Sequence, residues 1–310
     1  MLLDVISKST GLRKSFIERV VHSAPYSYKK YTIPKKNGGV RVIHHPRKEL
    51  KVVQRWIVEH VISDLPVHDS VYSYRKGRGI RLHAEIHKNN NYLLRLDLRN
   101  FFPSIRADDI YVLVKRYRET LKVKLSDDDI KTICRILCIH SAEQEGLFLT
   151  IGAPSSPAIS NAILYSLDLA VDQFCEKIAV KYTRYADDLY FSTNRPNVLT
   201  EVESHVRNQL KKLSNPTLLI NEEKTVFTSR KRKRVVTGIT LTSDNKLSIG
   251  REAKRRIKTE VFLLTKGQFP TENLANLKGR IAYFQSIEPG FINSLRIKFG
   301  EEVIRNLIKQ

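Results

Sequence analysis

The segment Lys181–Ser192, KYTRYADDLYFS, predicts two short strands joined by a tight turn that carries two adjacent acids, Asp187 and Asp188. Like charges this close repel each other, so the pKa of one carboxyl should rise unless a cation binds. An isolated Asp-Asp pair is usually an ordinary polar turn, so the rest of the chain has to decide between the two interpretations.

A third acid lies at the end of another apolar segment. Tyr92–Leu98 predicts a short strand that carries Asp97, and the aromatic pair Phe101-Phe102 follows it. If this strand neighbours the hairpin, three carboxylates converge. Hard oxygen ligands select Mg²⁺, and Mn²⁺ can substitute for it. Two such ions about 3.5–4 Å apart could activate a 2′ or 3′ hydroxyl and stabilise a leaving pyrophosphate.

The charge of the chain favours a polyanionic partner. Its 310 residues include 54 Lys and Arg against 32 Asp and Glu, a formal net charge of +22. Nucleic acid is a better candidate than a membrane, because the basic residues are spread through the chain. No apolar run approaches the roughly 20 residues that span a bilayer. The charge indicates binding and says nothing about chemistry.

The N-terminus and the cysteines bear on the cellular compartment. Asp4 and nearby Ser and Lys residues interrupt any apolar core of a secretory signal, so we expect a cytoplasmic protein. Three cysteines, an odd and low number, argue against a disulfide framework. Cys134, Cys138 and His140 could belong to a metal site, but two apolar residues on the buried face of a helix are the simpler interpretation.

The order of predicted elements indicates an α+β fold, with helices on one face of an antiparallel sheet. The middle of the chain has βαββ order, and the pattern after Gly250 is helical. We predict helices to about Ser23, over 47–62, after Ser126, after Ser156-Pro157 and over 198–213, and further strands over 31–34, 40–44, 217–220 and 235–241. Ser126 and Ser156 could cap the helices that follow them. The loop 35–39 between the first two strands contains Asn-Gly, a strong hairpin signal.

The acidic segments resemble the palm motifs of reverse transcriptases. The resemblance runs from about Tyr31 to Gly250, and the order and spacing of its motifs carry it. The matching segments are Asp97–Ile105, the loop Gly152–Pro157, Tyr185–Asp188 and Asn221–Thr225. It implies a right-hand polymerase with N-terminal helices and fingers over 1–90, a palm over 91–245 and a small helical thumb over 246–310.

The resemblance also implies roles for individual residues. Asp97 and Asp187 would bind both metal ions, and Asp188 would help to set the local charge as a further ligand. The nucleotide-binding residues would be Arg41, with Lys35 or Lys36 nearby, Phe102 against the ribose 2′ position, Gly152 and Lys224. Phe102 could instead be a core residue, and the hairpin cations could simply be solvated. The family usually has Gln before this Gly, whereas this chain has Ile151.

Two further segments resemble bacterial retron reverse transcriptases. Val236-Thr237-Gly238 matches their Val-Thr-Gly signature, and His83–His87 lies where they carry Asn-Ala-x-x-His, with His83 in place of the Asn. The resemblance implies that these three residues and His87 contact the template–primer. A buried, hydrogen-bonded histidine is the alternative for His87.

Two basic segments could follow a nucleic acid backbone. Arg251, Lys254 and Arg255 form a stripe on the predicted thumb, and the run Arg230–Arg234 is a candidate for contact with RNA phosphates. For both, a solvated charged face is the alternative.

The resemblance to retron enzymes also implies a substrate, a priming reaction and a product. The enzyme would bind its own structured non-coding RNA and prime from the 2′ hydroxyl of a guanosine in it. It would use deoxynucleoside triphosphates to copy a segment into branched, RNA-linked single-stranded DNA (msDNA). Such systems resemble antiviral defence modules with a separately encoded effector protein. The alternatives are another small bacterial reverse transcriptase, of the group II intron or abortive-infection type, or a non-catalytic RNA-binding palm protein.

Overall fold

The computed structural model describes residues 1–34 and 38–308, and its N-terminal part combines helices with a long hairpin. The two strands of this hairpin pair from Tyr28 opposite Pro46 to Pro34 opposite Val40, and we call them the fingers hairpin. The elements are α1 (Leu2–Thr10), α2 (Lys14–Ser23), β1 (Tyr28–Pro34), β2 (Val40–Pro46), α3 (Lys48–His60) and α4 (Ile80–His87).

A four-stranded antiparallel sheet forms the centre of the molecule, in the order β6-β7-β3-β8. The expected α+β class with an antiparallel sheet is confirmed. The elements of this region are β3 (Tyr92–Asp97), α5 (Ala107–Tyr117), α6 (Asp127–Leu137), β4 (Ile139–Ser141), β5 (Gln144–Phe148), α7 (Ser156–Ile163), α8 (Tyr165–Lys177), β6 (Lys181–Tyr185), β7 (Asp188–Thr193), α9 (Val198–Lys212) and β8 (Val226–Ser229). Helices α8 and α9 pack against β6 and β7.

Both faces of strand β3 are covered, which explains why its sequence is almost continuously apolar. Leu94 and Leu96 belong to the large core that the helices share. On the opposite face, Leu93 joins a second apolar cluster with Ala84 of α4. A helix from the first 90 residues therefore packs directly against the central sheet.

The segment expected as one strand over 235–241 is in fact a tight hairpin. Strands β9 (Arg234–Val236) and β10 (Ile239–Leu241) pair through Val236 and Ile239, and β11 (Leu247–Ser248) extends the sheet. The two turn residues, Thr237 and Gly238, have φ values of 44° and 84°. Two successive positive φ angles are typical of a two-residue hairpin turn and favour Gly.

Two other expectations about local structure need correction. Residues 217–220 form only an isolated bridge, from Ile220 to Leu98, instead of a strand. Ser126 caps α6 as expected and accepts a hydrogen bond of 3.1 Å from the Asp129 N–H. Ser156 does not cap α7, because it is already the first helical residue.

The C-terminal residues form a helical unit with its own apolar core, and we call residues 251–308 the thumb. It consists of α10 (Arg251–Thr265), α11 (Leu274–Ile287), α12 (Pro289–Phe299) and α13 (Glu301–Ile308). Ile287 of the thumb joins the cluster that contains Ala84 and Val236. Among the described residues, no helix has both the length and the apolar character that crossing a membrane requires.

A fully buried ion pair lies beneath the hairpin of β6 and β7. The Arg184 guanidinium donates to both carboxylate oxygens of Asp168, at 2.8 and 2.6 Å, and neither side chain is exposed. The Tyr182 hydroxyl donates to the same carboxylate at 2.7 Å. Because the pair is fully enclosed, removing one partner would leave an uncompensated buried charge.

We predict that Arg184→Met lowers the free energy of unfolding by about 3–5 kcal/mol, because Asp168 would be left buried without its cation. Urea denaturation followed by circular dichroism measures this change. The control is Lys131→Met, which breaks an exposed pair with Asp128 and should cost less than about 1 kcal/mol. If both variants lost the same small amount of unfolding free energy, the buried pair would not contribute to stability as predicted.

Candidate active site

The sheet brings the candidate acids together. In the pairing of β3 with β7, Asp97 lies directly opposite Asp188, and the Leu98 N–H donates to the Asp187 carbonyl at 2.9 Å. The two acids that are furthest apart in the sequence are therefore neighbours across one strand pair. The hairpin turn supplies the third acid.

The turn that carries the acids is fixed by its backbone. Ala186 has a φ of 57°, in the left-handed region that non-glycine residues rarely adopt. Its N–H donates to the Ser73 hydroxyl at 2.8 Å, and its carbonyl accepts a hydrogen bond of 3.1 Å from Arg184. Both partners are buried, so the conformation of the turn is set from inside the protein.

Burial and mutual repulsion disfavour the ionised acids. Burial raises the pKa of Asp187, and the Asp97 carboxylate raises it further. Burial raises the pKa of Asp188 to about 6, with a smaller contribution from Asp187, although Arg95 acts in the opposite direction. The site therefore concentrates negative charge that a bound cation would stabilise.

Two basic side chains already partner two of the acids. Arg95 donates to the Asp188 carboxylate at 2.9 and 2.8 Å. Lys224 donates to both oxygens of Asp97, each at 3.0 Å, and the Asn221 amide donates to one of them at 3.1 Å. Lys224 thus lies at the site where the sequence predicts it, but its partner here is Asp97.

The donor chemistry of the site fits a hard divalent cation, since it consists of carboxylate oxygens that repel one another. Asp97, Asp187 and Asp188 are the residues that would hold such an ion. Within residues 1–34 and 38–308, however, no three acidic, histidine or cysteine side chains are arranged as a finished metal site.

The loop before α7 ties the fingers hairpin to the centre of the molecule. The His44 N–H donates to the Ile151 carbonyl at 2.9 Å, and the His44 ring lies 2.8 Å from the Thr150 hydroxyl. Gly152 has a φ of 111°, and a Cβ there would lie 2.7 Å from the His44 carbonyl oxygen. A glycine is therefore required here by both backbone conformation and space.

Phe102 and Arg41 are the other predicted nucleotide-binding residues whose burial the structure describes. Phe102 is partly buried beside Phe101, and Arg41 is exposed on β2. Tyr74, which the sequence analysis did not single out, lies near Tyr185. Burial raises the pKa of the Tyr74 phenol, as does Asp187, whereas Arg41 lowers it. Lys35 and Lys36 lie outside the described residues.

Several residues expected to contact template and primer lie inside the protein, which corrects that expectation. His87 and Val236 have no exposed surface, so neither can touch RNA in this structure. Gly238 is exposed and Thr237 partly so. His87 is the buried, hydrogen-bonded histidine that the sequence left as the alternative.

Of the basic residues expected to contact nucleic acid, some are exposed and others are paired or buried. Arg251 and Arg255 are exposed on α10, whereas Lys254 pairs with Glu288 inside the thumb. In the run Arg230–Arg234, the last side chain is 1% exposed and donates to the carbonyls of Asn90 and Thr242, which excludes it from phosphate contact. The three residues between its ends are exposed.

Comparison with known proteins identifies the class. Residues 33–241 match the family described as reverse transcriptase (RNA-dependent DNA polymerase). The antiparallel sheet, the paired acids and this match together define an RNA-directed DNA polymerase with a right-hand fold. Members of the family generally use divalent metal ions.

The relatives most informative about the type of reverse transcriptase are two retron enzymes. The chain is 37% identical to the retron Ec83 reverse transcriptase of Escherichia coli, over 100% of this chain and 98% of that protein. It is 32% identical to the retron Ec73 reverse transcriptase of the same species, over 99% and 98% of the two chains. The chain therefore belongs to the reverse transcriptase family, and within it to the retron type.

Solved structures with a similar fold include more distant polymerases. Telomerase from Candida albicans, in complex with a fragment of telomeric RNA, covers 90% of this chain at 14% identity and a TM-score of 0.49. This chain spans 56% of that one. A foamy viral protease–reverse transcriptase bound to double-stranded DNA matches at 16% identity and a TM-score of 0.48, over 91% of this chain and 43% of that one.

We predict that Gly152→Ala lowers the free energy of unfolding by about 1–3 kcal/mol, because the new Cβ would collide with the His44 carbonyl in an unfavourable backbone conformation. The matched control is Gly279→Ala within α11, where no atom lies within 4 Å of the added Cβ. That change should stabilise the protein by up to about 1 kcal/mol through helix propensity. Thermal and urea denaturation give both values, and a neutral Gly152→Ala would refute the tight contact.

The raised pKa of Asp188 predicts a pH dependence of stability in metal-free protein. As the pH rises from the ordinary Asp value towards about 6, Asp188 stays protonated in the folded state while the unfolded chain ionises. The folded state then binds more protons, so stability falls over this window and remains lower above it. Urea denaturation in chelator at pH 5 and pH 7.5 measures the fall.

The variant Asp188→Asn should reduce this fall in stability, because the side chain no longer titrates. A pH profile of the variant identical to that of the unmodified protein would show that another group controls the transition.

Proposed function

We propose that this reverse transcriptase makes the branched, RNA-linked single-stranded DNA (msDNA) of a retron. It would bind its cognate structured non-coding RNA and start from the 2′ hydroxyl of a guanosine within that RNA. It would extend the DNA with deoxynucleoside triphosphates along an adjacent segment. The observation that carries the proposal is the match to retron enzymes over 98% of two relatives' lengths.

In this proposal the three acids form the catalytic centre, and Asp97, Asp187 and Asp188 hold two Mg²⁺ ions, for which Mn²⁺ can substitute. The ions would supply an activated hydroxyl nucleophile and charge stabilisation at the leaving pyrophosphate. The register of Asp97 with Asp188, the burial of Asp97 and the partial burial of Asp188 support this assignment. Lys224 and Arg95 would hold the carboxylates of Asp97 and Asp188 in place through their hydrogen bonds when no ion is present.

The nucleotide would lie between the acids and the fingers hairpin. Arg41 would meet the triphosphate, and its electrostatic effect on Tyr74, which Asp187 also influences, supports this location. Phe102 would border the sugar and favour deoxynucleotides. Gly152 would let the nucleotide approach the backbone closely, and Lys224 would neutralise or protonate the pyrophosphate after release from Asp97.

Template and primer would lie along exposed basic surfaces. Arg251 and Arg255 on α10, with the turn at Thr237 and Gly238, are the described candidates for contact. Priming from a 2′ hydroxyl requires the same in-line attack as extension from a 3′ hydroxyl. The choice of guanosine would therefore come from how the folded RNA is held. We further propose that the enzyme acts in the cytoplasm, in antiviral defence, beside a separately encoded effector.

We predict that Asp187→Asn lowers DNA synthesis on an RNA template by at least about 100-fold, because the carboxylate that would hold the ions is lost. Purified protein with poly(rA), oligo(dT) and labelled dTTP measures the rate. RNA affinity, measured by filter binding, should stay within about twofold. Asp244→Asn, which changes an exposed acid beside Lys246, is the control and should retain activity.

The proposed synthesis of branched DNA is tested separately, by the DNA product made in cells. The gene and its flanking DNA, expressed in a bacterial host, should yield a small DNA that shifts in size after treatment with an enzyme that hydrolyses 2′–5′ branches. The Asp187→Asn gene should yield none. A linear DNA product would favour another small reverse transcriptase, and RNA binding without any synthesis by the unmodified protein would leave the non-catalytic alternative.

A further inference from the structure

Helix α4 carries two histidines that take part in a buried hydrogen-bond network. The Nε2 atoms of His83 and His87 lie 2.6 and 2.7 Å from the same hydroxyl, that of Thr183 on β6. The Nδ1 atom of His87 lies 2.7 Å from the Ser192 hydroxyl on β7. All four side chains are at least 98% buried. The helix therefore holds both strands of the catalytic hairpin at once.

The protonation states of the two histidine rings limit which groups donate and which accept the hydrogen bonds of this network. Burial lowers the pKa of His83 to about 3 and the pKa of His87 well below its ordinary value, so both rings are neutral. A neutral imidazole has one donor and one acceptor nitrogen, and a hydroxyl donates one hydrogen bond and accepts others. Thr183 can therefore donate to one ring while it accepts from the other, a combination that fixes both rings and the strand between them.

The network lies on the same face of the sheet as one catalytic carboxylate. Asp188, Tyr190 and Ser192 alternate along β7 and therefore share a face. The His83 ring stacks on Tyr185, with centroids 5.6 Å apart, and meets the Tyr190 ring edge-on at 5.0 Å. The helix thus touches the residue immediately before the acidic turn.

Other atoms of α4 reach the two neighbouring units. The His83 Nδ1 atom lies 3.3 Å from the Thr237 hydroxyl, in the tight turn between β9 and β10. Arg81 donates to the Ser286 carbonyl on α11 at 2.9 Å. Ala84, Val236 and Ile287 share one apolar cluster. One short helix thereby connects the catalytic hairpin, the Val-Thr-Gly turn and the thumb.

We propose that α4, through His83, His87 and Thr183, positions the catalytic hairpin relative to the thumb and so sets how well the primer end is aligned with the acids. His83 and His87 are positioning residues that act through the hairpin and do not touch the nucleic acid. The inference requires only the polymerase activity and is independent of branched priming. Small displacements of reacting groups lower the turnover rate much more than they change binding.

The test compares two changes at Thr183. Thr183→Val keeps the shape and removes the hydroxyl, whereas Thr183→Ser keeps the hydroxyl. With poly(rA) and oligo(dT), Thr183→Val should lower kcat by at least about 10-fold while the primer–template Kd stays within about twofold. Thr183→Ser should recover kcat to within about threefold of the unmodified enzyme. Rates are normalised to the folded, primer-binding fraction and measured well below the Tm.

A matched control separates positioning from stability. Thr193 lies on the same hairpin, is 1% exposed and donates its hydroxyl to the Ala179 carbonyl, away from α4. Thr193→Val should lower Tm while leaving kcat within about twofold. The inference is overturned if Thr183→Val lowers Tm and leaves kcat per folded molecule unchanged, or if it raises only the primer–template Kd.

A milder variant keeps the test informative if Thr183→Val fails to fold. Ser192→Ala removes one partner of His87 and leaves the Thr183 contacts in place. We expect a loss in kcat of about 3- to 10-fold with unchanged primer–template Kd. Unchanged kcat in a well-folded Ser192→Ala enzyme would reject the positioning role of His87.

Discussion

The pairing of β3 with β7 is the constraint on which the candidate active site depends, because it sets Asp97 opposite Asp188. A slip of one residue would turn Asp97 to the other face of the sheet. The register is secured by burial on both faces, since Leu94 belongs to the large core and Leu93 to the smaller cluster with α4. The relative position of the acids is therefore a consequence of packing at apolar residues.

The electrostatics of the site follow from this geometry. A chain with a net charge of +22 brings three acids together, with Asp97 buried and Asp187 and Asp188 partly buried. Lost hydration and repulsion oppose the ionisation of Asp187 and Asp188. Lys224 and Arg95 relieve part of this cost at Asp97 and Asp188. If the acids hold divalent ions as proposed, those ions would compete with these two side chains for the carboxylate oxygens.

The sequence predicted those parts of the site that depend on local pattern. The two strands that carry the acids, the fingers hairpin and the helical thumb all follow from periodicity and turn residues. Arg95 could have been found too, because residues two apart on a strand share a face and Asp97 follows at that spacing. The Val236–Gly238 segment was misjudged as part of one strand, although its Gly is the residue that a two-residue turn favours.

Contacts between distant segments could not be predicted in this way. His83 and Thr183 are 100 residues apart, and nothing in either local pattern indicates that they share a hydrogen bond. The expected RNA contact of His87 was wrong for the same reason, since burial is a property of the assembled fold. The partnership of Arg184 with Asp168, 16 residues earlier, likewise depends on how α8 packs against β6.

The basic residues show why net charge overestimates contact with nucleic acid. Arg234 is buried against backbone carbonyls and is not available to a phosphate in this structure. Lys254 is half-buried, and its charge is already paired with Glu288. Each phosphate contact contributes roughly 0.7–0.9 to the slope of log affinity against log salt. The slope should therefore depend on how many exposed cations meet phosphates, with Arg251 and Arg255 as candidates, and the net charge of +22 does not by itself give that number.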